Sequence, residues 1–313
     1  MRTGVVLMTY GSPRDLDDVA AYMTRIRGGR APDAELVSEF QRRYAAIGMS
    51  PLIDITRTQA SALEAVLGSD FRVAAGVRFS DPTIEAAVRD VVSGGAQRVL
   101  GVILSPQYSA SLMGGYDQAL QAACAGVPAR TVGAWHLNPA FVDVLASRIR
   151  KALAAYPRDQ RDAVPVLLTA HSLPRRVVDR EPDYVEQLAA TARAVAVAAD
   201  LPSEQWSFAY QSAGHTPEEW LKPDMLDVLP QLARDGHRNV IVAPVQFLAD
   251  HLETLYDIDL AGRGQAESAG IDGFTRVAAP NAASDFIEAM RSVVKGELAA
   301  WDRAAQRGVW VRT

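Results

Sequence analysis

Residues 6–13 read Val-Leu-Met-Thr-Tyr-Gly-Ser-Pro, and residues 166–174 read Val-Leu-Leu-Thr-Ala-His-Ser-Leu-Pro. Each stretch is a short apolar run that stops at a polar loop closed by proline. A second pair of stretches, residues 95–104 and 236–244, each place an apolar run after a glycine and an arginine. These two echoes predict that the chain folds as two similar halves.

Short apolar runs alternate with longer amphipathic stretches along the whole chain. We predict strands at residues 4–9, 72–76, 98–104, 130–133, 164–169, 206–210, 239–244 and 274–278. We predict helices at residues 16–25, 34–47, 53–67, 84–93, 117–125, 140–155, 184–199, 225–235 and 284–301. Strands that are apolar on both faces are typical of parallel sheets covered by helices. The alternation therefore indicates a doubly wound α/β fold with a four-stranded parallel sheet in each half.

The predicted fold divides into two halves. The N-terminal half spans residues 1–127 and the C-terminal half spans residues 128–283, while residues 284–313 are expected to pack back on the first half. In open α/β sheets, ligands bind outside the carboxyl ends of the strands. We therefore expect the active site in the cleft between the halves, where Tyr10 and His171 follow predicted strands.

Charge, hydropathy and cysteine content exclude several classes of protein. The chain of 313 residues has a net charge of -5, whereas nucleic-acid binders usually show a basic domain. No apolar stretch approaches the ~20 residues of a membrane span, and the first apolar run is too short for a signal peptide. Cys124 is the only cysteine, so neither an internal disulfide nor an iron–sulfur cluster held by about four cysteines is expected. We expect a cytoplasmic monomer without a nucleic-acid partner or an integral membrane segment.

His171 and Glu253 are the strongest candidates for chemistry. His171 follows one predicted strand and Glu253 follows the apolar run 240–248, so both are expected at the binding edge. Neutral imidazole is a common iron and zinc ligand, and its pKa near ~6.5 also suits proton transfer. At helical spacing Asp250, Glu253 and Asp257 share one face, and such a row of carboxylates could relay protons or dehydrate a cation. The pair indicates metal chemistry on a bound organic ligand, with metal binding and proton transfer both open.

Basic and aromatic residues near the first predicted strand could bind an anionic, flat ligand. The arginines in this region are Arg27, Arg30, Arg42 and Arg43. Each alone is typical of surface charge, but together they could bind ligand carboxylates through bidentate contacts. Tyr10 and Tyr116 could offer a phenol to a metal or a flat face to a macrocycle. The chain has no dinucleotide-binding glycine motif, Walker lysine or Gly-x-Ser-x-Gly, which argues against hydride transfer, phosphoryl transfer and α/β-hydrolase chemistry.

Five segments together resemble the motifs of the ferrochelatase family, in the order of that family. They are residues 8–13, 44–52, 169–174, 210–221 and 250–257. The resemblance implies a lyase that inserts Fe²⁺ into a porphyrin in heme biosynthesis, with Fe²⁺ as substrate and no permanently bound cofactor. It also implies two Rossmann-like halves with the porphyrin in the cleft between them.

The chain most closely resembles the bacterial branch that lacks an iron–sulfur cluster and acts on coproporphyrin III rather than protoporphyrin IX. The resemblance gives His171 the role of the metal- and proton-handling histidine and Glu253 that of its partner carboxylate. It also implies that Asp257 passes protons or metal outward, and that Tyr10 is an axial ligand of iron in the product. The positions that match porphyrin-binding residues are Tyr10, Arg27, Arg43, Tyr44, Ser50 and Tyr116.

Three features depart from the family pattern. The loop at residues 47–50 is shorter than usual by one residue, which bears on the placement of Ser50. Ala261 stands where family members often carry a carboxylate of an outer metal site, so a second site near Asp257 is left open. Phe79 stands where many members carry His or Tyr.

Two other functions stay open at the level of sequence. One is a related tetrapyrrole chelatase that inserts cobalt into sirohydrochlorin-type rings, although such enzymes more often use two histidines at the metal. The other is a non-catalytic bilobal carrier of heme or metal, which would bind a porphyrin without turnover.

Overall fold

Two parallel four-stranded sheets lie at the centre of the molecule. The computed structural model describes residues 1–214 and 218–307. The first sheet contains β1 (Thr3–Thr9), β2 (Phe71–Val77), β3 (Arg98–Ile103) and β4 (Ala129–Thr131), in the order β2-β1-β3-β4. The second contains β5 (Val166–His171), β6 (Trp206–Gln211), β7 (Asn239–Pro244) and β8 (Gly273–Arg276), in the order β6-β5-β7-β8. The predicted α/β fold with a repeated four-stranded parallel sheet is confirmed.

Helices cover the faces of both sheets. They are α1 (Val19–Ile26), α2 (Ala34–Ala46), α3 (Leu52–Leu67), α4 (Ile84–Ser93), α5 (Ala110–Ala123), α6 (Pro139–Ala154), α7 (Arg175–Val178), α8 (Pro182–Ala198), α9 (Met225–Arg234), α10 (Arg263–Ala269) and α11 (Ser284–Gln306). A 3₁₀ turn spans Arg161–Ala163 and a π-helix spans Glu253–Gly262. Within the described residues, no helix combines the length and apolar character needed to cross a membrane. Residues 215–217, part of the fourth motif, lie outside the described residues.

Each sheet reverses its strand order at one point, and these points coincide with the candidate site. β1 pairs with β2 on one side and with β3 on the other, and β5 pairs with β6 and β7 in the same way. The crevice outside the carboxyl ends of such strands is where open α/β sheets bind ligands. Tyr10 directly follows β1 and His171 ends β5, so both stand at a crevice of this kind.

The strands are apolar on both faces because each face lies in a hydrophobic core. Val5 and Leu7 of β1 belong to the large central core, whereas Val6 and Met8 belong to a second core formed with α4 and α5. Successive side chains of a strand point to opposite faces, so both sets must be apolar. The central core also contains Val166 of β5, so the two halves share one core.

The boundary between the halves lies after the edge strand β4 and not before it. β4 pairs with β3, with Val99 opposite Ala129, and therefore belongs to the first sheet. The predicted boundary between residues 127 and 128 separates this strand from its sheet, and by sheet membership the first half extends to Thr131. Three residues at a sheet edge are too few to show, by pattern alone, which sheet they join.

The C-terminal helix α11 joins the two halves. It packs against α3 of the first half and against α6 of the second half. Arg98 of β3 forms an ion pair with Asp302, and Arg148 of α6 forms an ion pair with Asp285 at 2.7 Å. The last helix therefore contacts both halves, whereas the sequence led us to expect packing on the first half.

Helix α5 begins at Ala110 rather than at residue 117. The hydroxyl of Ser109 accepts a hydrogen bond from the backbone N–H of Leu112 and so caps the first turn. Gly114 and Gly115 lie inside this turn region, and glycine disfavours helix when propensity alone is considered. The cap and the packing of the helix outweigh that preference, which explains why the predicted start is wrong.

Candidate active site

His171 and Glu253 face each other at the carboxyl edge of the second sheet. His171 is the last residue of β5, and Glu253 is the first residue of the π-helix that follows the neighbouring strand β7. The imidazole Nδ1 lies 3.1 Å from the carboxylate Oε2. Each side chain is 32% exposed, so the pair is open to a ligand in the cleft. Folding thus brings together the two residues that the sequence singled out.

The pair is electrostatically matched. The facing atoms Nδ1 and Oε2 are shielded from solvent and have no well-aligned hydrogen bond within the described structure. Burial is the largest single influence and lowers the pKa of His171, but the charge and hydrogen bonding of Glu253 and the charge of Asp257 together outweigh it, and the net pKa of His171 is raised. Burial is the largest single influence and raises the pKa of Glu253, but the charge and hydrogen bonding of His171 and the charge of His251 together outweigh it, and the net pKa of Glu253 is lowered. The site therefore favours an imidazolium beside a carboxylate. Such a pair can take up and release a proton.

Asp257 extends the acidic character of the site along the π-helix. It lies four residues after Glu253, close to one turn of a helix with i to i+5 hydrogen bonds. Burial is the main cause that raises the pKa of Asp257, and the charge of Glu253 adds to it, while Ser212, Arg43 and His171 oppose it. The two carboxylates therefore interact, and a proton could be shared between them.

Asp250 does not belong to this row, which corrects the predicted face of three carboxylates. The backbone from Glu253 onward is a π-helix, and Asp250 lies before its start. Asn281 Nδ2 donates to Asp250 Oδ2 at 2.8 Å, and Arg276 forms an ion pair with Asp250 at 3.0 Å. Asp250 thus stabilises the loop before the π-helix, and the row consists of Glu253 and Asp257.

Tyr10 and Tyr44 place first-half phenols near the pair. Tyr10 is 45% exposed at the end of β1, and its ring meets that of Phe79 edge to face at 4.8 Å. Burial is the main cause that raises the pKa of Tyr10 and of Tyr44, and the charge of Glu253 raises both further. Tyr44 also packs in one hydrophobic cluster with Leu252, which directly precedes Glu253, so residues of both halves meet beside the pair.

Arg43 connects helix α2 to the π-helix. Its guanidinium forms an ion pair with Glu39 one turn earlier, and lies 3.5 Å from a carboxylate oxygen of Asp257. It also stacks over the ring of Tyr256 at 5.2 Å. Of the arginines predicted to bind ligand carboxylates, Arg43 is therefore the one that reaches the His171 region.

The other predicted binding residues are spread around the first half. Arg27 and Arg30 are exposed in the loop after α1, and Arg42 is exposed on α2. Ser50 is partly buried, and its hydroxyl accepts a weak hydrogen bond of 3.4 Å from the backbone N–H of Leu52. Tyr116 is buried on α5. These residues could touch the outer parts of a large ligand, whereas Tyr10 and Tyr44 lie nearer the pair.

Two residues at the site were missed by sequence reasoning. Arg78 follows β2 and stacks over the rings of Phe79 at 4.8 Å and Tyr116 at 5.0 Å. Its charge lowers the pKa of Tyr10 against the larger effect of burial. Gln246 follows β7 and accepts a hydrogen bond from the backbone N–H of His171 at 2.8 Å. A polar residue directly after the apolar strand β2 was the signal that could have identified Arg78, whereas Gln246 is separated from β7 by Val245 and had no such signal.

A second histidine near the pair has a different role. His251 Nδ1 lies 3.0 Å from the carbonyl oxygen of Ala249, and its ring packs against Phe247 at 4.5 Å. His251 therefore packs against its neighbours in the loop before the π-helix. In the described part of the chain, no group of three or more His, Cys, Asp or Glu side chains is arranged to hold a metal ion.

The fold is shared with chelatases. The structure is similar to that of the sirohydrochlorin chelatase SirB from Bacillus subtilis subspecies spizizenii in complex with cobalt, with a TM-score of 0.56. The two are 13% identical, and the match covers 94% of this chain and 94% of that chain. At this identity the likeness shows a common fold: two similar α/β halves with a cleft between them.

The sequence defines the family within this fold. A family model for ferrochelatase matches residues 2–298. The chain is 37% identical over 305 residues to ferrochelatase of Herpetosiphon aurantiacus, covering 95% of this chain and 99% of that protein. It is 36% identical over 301 residues to coproporphyrin III ferrochelatase of Geobacillus kaustophilus, covering 93% and 94%. The chain belongs to the ferrochelatase family, as its motifs indicated, and the predicted enzyme class of lyase is confirmed.

Proposed function

We propose that this protein inserts Fe²⁺ into a porphyrin, with coproporphyrin III as the preferred substrate. The observation that carries the proposal is the pair of His171 and Glu253, with Nδ1 and Oε2 3.1 Å apart at the edge of the cleft. Family membership supports the same reaction, because the relatives it matches are named as ferrochelatases.

His171 accepts a pyrrole proton in this proposal. Metallation exchanges two pyrrole N–H protons for one Fe²⁺, so the site needs a base that faces the ring. The imidazolium first releases its proton through Glu253 and Asp257, and the neutral imidazole that remains is a stronger base because Glu253 raises the pKa of His171. Glu253 stabilises the resulting imidazolium, and Asp257 carries the proton away along the π-helix. The second pyrrole proton leaves by the same route once the imidazole is neutral again.

Fe²⁺ is a substrate that passes through the site. His171, Glu253 and Tyr10 offer one nitrogen and two kinds of oxygen, which are ligands that divalent iron accepts. A small number of protein ligands leaves positions free for the porphyrin nitrogens. Tyr10, which follows β1 on the opposite half, is the axial ligand of iron in the product.

The porphyrin lies between the halves and is held at its edge. The residues proposed to bind it are Tyr10, Arg27, Arg43, Tyr44, Ser50 and Tyr116. Contacts between the arginines and the propionates supply binding energy that bends the ring, so that a nitrogen lone pair points at the metal. Coproporphyrin III has more propionates than protoporphyrin IX, and relatives such as that of Geobacillus kaustophilus are named for it.

We further propose that the enzyme works without a permanently bound cofactor. A cysteine-ligated iron–sulfur cluster requires about four thiolates. Cys124 is the only cysteine, and it is buried against the core of the first half. The chemistry of metallation needs a base, a metal path and a shaped cleft, and the described residues provide candidates for each.

The proposal is tested by mixing the protein anaerobically with Fe²⁺ and either coproporphyrin III or protoporphyrin IX, and following the loss of the metal-free spectrum. We expect repeated turnover, with a higher kcat/KM for coproporphyrin III. Binding of one equivalent of porphyrin without turnover would identify a carrier and contradict the proposal. A preference for Co²⁺ and sirohydrochlorin in parallel assays would identify the other chelatase reaction.

A further inference from the structure

The hydrogen-bond ladder between β5 and β7 ends one step before His171. The backbone N–H of Val245 donates to the carbonyl oxygen of Thr169 at 2.9 Å, as in a regular parallel pair. If the ladder continued, the N–H of His171 would donate to the carbonyl of Val245. The side chain of Gln246 takes that place, and its Oε1 accepts the His171 N–H at 2.8 Å.

The Gln246 carboxamide is held in one orientation by a second bond. Its Nε2 donates to the hydroxyl oxygen of Tyr184 at 2.6 Å. Gln246 and Tyr184 are both buried, at 9% and 3% exposure. A flipped amide would face the N–H of His171 with another N–H, so each bond defines the direction of the other. The carboxamide is therefore a fixed bridge between β5 and helix α8.

Tyr184 extends the bridge to the first half. Burial raises the pKa of Tyr184 to about 12, while hydrogen bonding from Ser105 and Gln246 lowers it. Ser105 follows β3 at the carboxyl edge of the first sheet.

The segment after β7 holds His171 at two points. Gln246 binds the main chain of His171, and Glu253 faces its imidazole.

We propose that Gln246 is a positioning residue for the reaction, which fixes the main chain of His171 so that the imidazole is held against Glu253, with Tyr184 orienting the carboxamide. This inference rests on the proposed function. A base must be placed to within a fraction of an ångström of the proton it accepts, and a shift of about 1 Å can cost about 100-fold in rate. Removal of the bridge lowers kcat, while KM for porphyrin stays near its original value because Gln246 is buried behind the pair.

The contact itself is tested by amide hydrogen exchange on the peptide that contains His171. We expect the His171 amide to exchange about ten-fold faster in Gln246→Met, because its acceptor is lost. Tyr184→Phe should accelerate it less. The matched control is Gln205→Met: Gln205 is also buried in the second half, but its Nε2 binds the carbonyls of Arg161 and Val164 at the opposite edge of the sheet.

Steady-state kinetics of iron insertion test the consequence. We expect kcat of Gln246→Met to fall by about 10- to 100-fold with little change in KM. Gln246→Glu keeps an acceptor for the His171 N–H and should recover part of kcat. Tyr184→Phe added to Gln246→Met should lower kcat no further, because the two residues act through one bridge.

The control separates positioning from loss of stability. Gln205→Met should lower Tm comparably and leave kcat and the exchange of the His171 amide unchanged. An unchanged amide exchange and kcat in Gln246→Met, or an equal loss of kcat in Gln205→Met, would overturn the inference. If the wild-type protein does not metallate a porphyrin, the proposed function fails, and the exchange data then decide separately whether Gln246 holds the His171 main chain.

Discussion

The guanidinium of Arg43 lies 3.5 Å from the carboxylate of Asp257, which joins helix α2 of the first half to the π-helix of the second half. The same guanidinium binds Glu39 and stacks over Tyr256. The π-helix begins with Glu253. This ion pair therefore sets how far Glu253 and Asp257, the proposed proton path, lie from helix α2. Arg43 thus has a structural role, and we propose that it also binds a porphyrin propionate.

Replacement of Arg43 by Met is expected to weaken porphyrin binding. Loss of one charged contact with a propionate should raise KM for coproporphyrin III by about 10- to 100-fold. The pKa of Asp257 should also rise further, because the charge of Arg43 is one of the factors that lower it. The control is Arg42→Met at the exposed neighbouring position on α2. Equal KM values for the two variants would remove the binding role from Arg43.

Replacement of Glu253 by Gln should lower the pKa of His171. The carboxylate is the main factor that raises this pKa, so burial, which lowers it, would dominate in the variant. NMR titration of the His171 imidazole measures the shift directly. Glu267→Gln, at an exposed position on α10, serves as the control and should leave the titration unchanged. A His171 pKa that is the same in Glu253→Gln and in the wild type would show that the pair is not coupled.

The pair should stabilise the fold most in mildly acidic solution. The pKa of Glu253 is lowered from 4.5, so its contribution is present above pH 4.5 and is lost as pH falls further. The pKa of His171 is raised from 6.5, so its contribution is present below pH 6.5 and is lost as pH rises through the higher folded value.

We therefore expect the difference in Tm between the wild type and Glu253→Gln to be largest from pH 4.5 to 6.5. The difference should shrink on both sides of that window. Differential scanning calorimetry over a pH series measures it, with Glu267→Gln as a reference whose difference should stay flat. A difference that keeps growing above pH 6.5 would contradict the assigned direction of the His171 shift.

Replacement of Tyr10 by Phe should change the spectrum of bound iron porphyrin without abolishing iron insertion. The phenol oxygen is the proposed axial ligand, and its loss changes the coordination of iron in the product. Tyr22→Phe is the matched control, because Tyr22 is also in the first half and its hydroxyl donates to the carbonyl of Gly11. That variant should lose some stability and keep the spectrum. An unaltered spectrum in Tyr10→Phe would eliminate the axial role.

The strands were predictable because burial on both faces imposes an apolar run at every position. Val5, Val6, Leu7 and Met8 are all fully buried, and they alternate between two cores. The placement of His171 and Glu253 near each other was predictable for the same reason, since each follows a strand that had to be central. Parallel sheets bring the carboxyl ends of neighbouring strands to one edge.

The π-helix was not predictable from spacing. A helix period places Asp250, Glu253 and Asp257 on one face, but Asp250 is bound by Asn281 and Arg276 before the helix begins. Tertiary contacts of this kind have no local signature in the sequence. Gln246 was missed for a similar reason, because its value lies in a backbone N–H that becomes unpaired only when the ladder of β5 and β7 ends.

The central claim is that His171 takes the pyrrole proton in iron insertion, and His171→Ala tests it most directly. The measurement is the anaerobic rate of Fe²⁺ insertion at saturating porphyrin, together with the Kd for the metal-free porphyrin. We expect the rate to fall by at least about 100-fold, as for loss of a general base, while the Kd stays near the wild-type value. A variant that binds porphyrin normally and still inserts iron at a rate near that of the wild type would contradict the account.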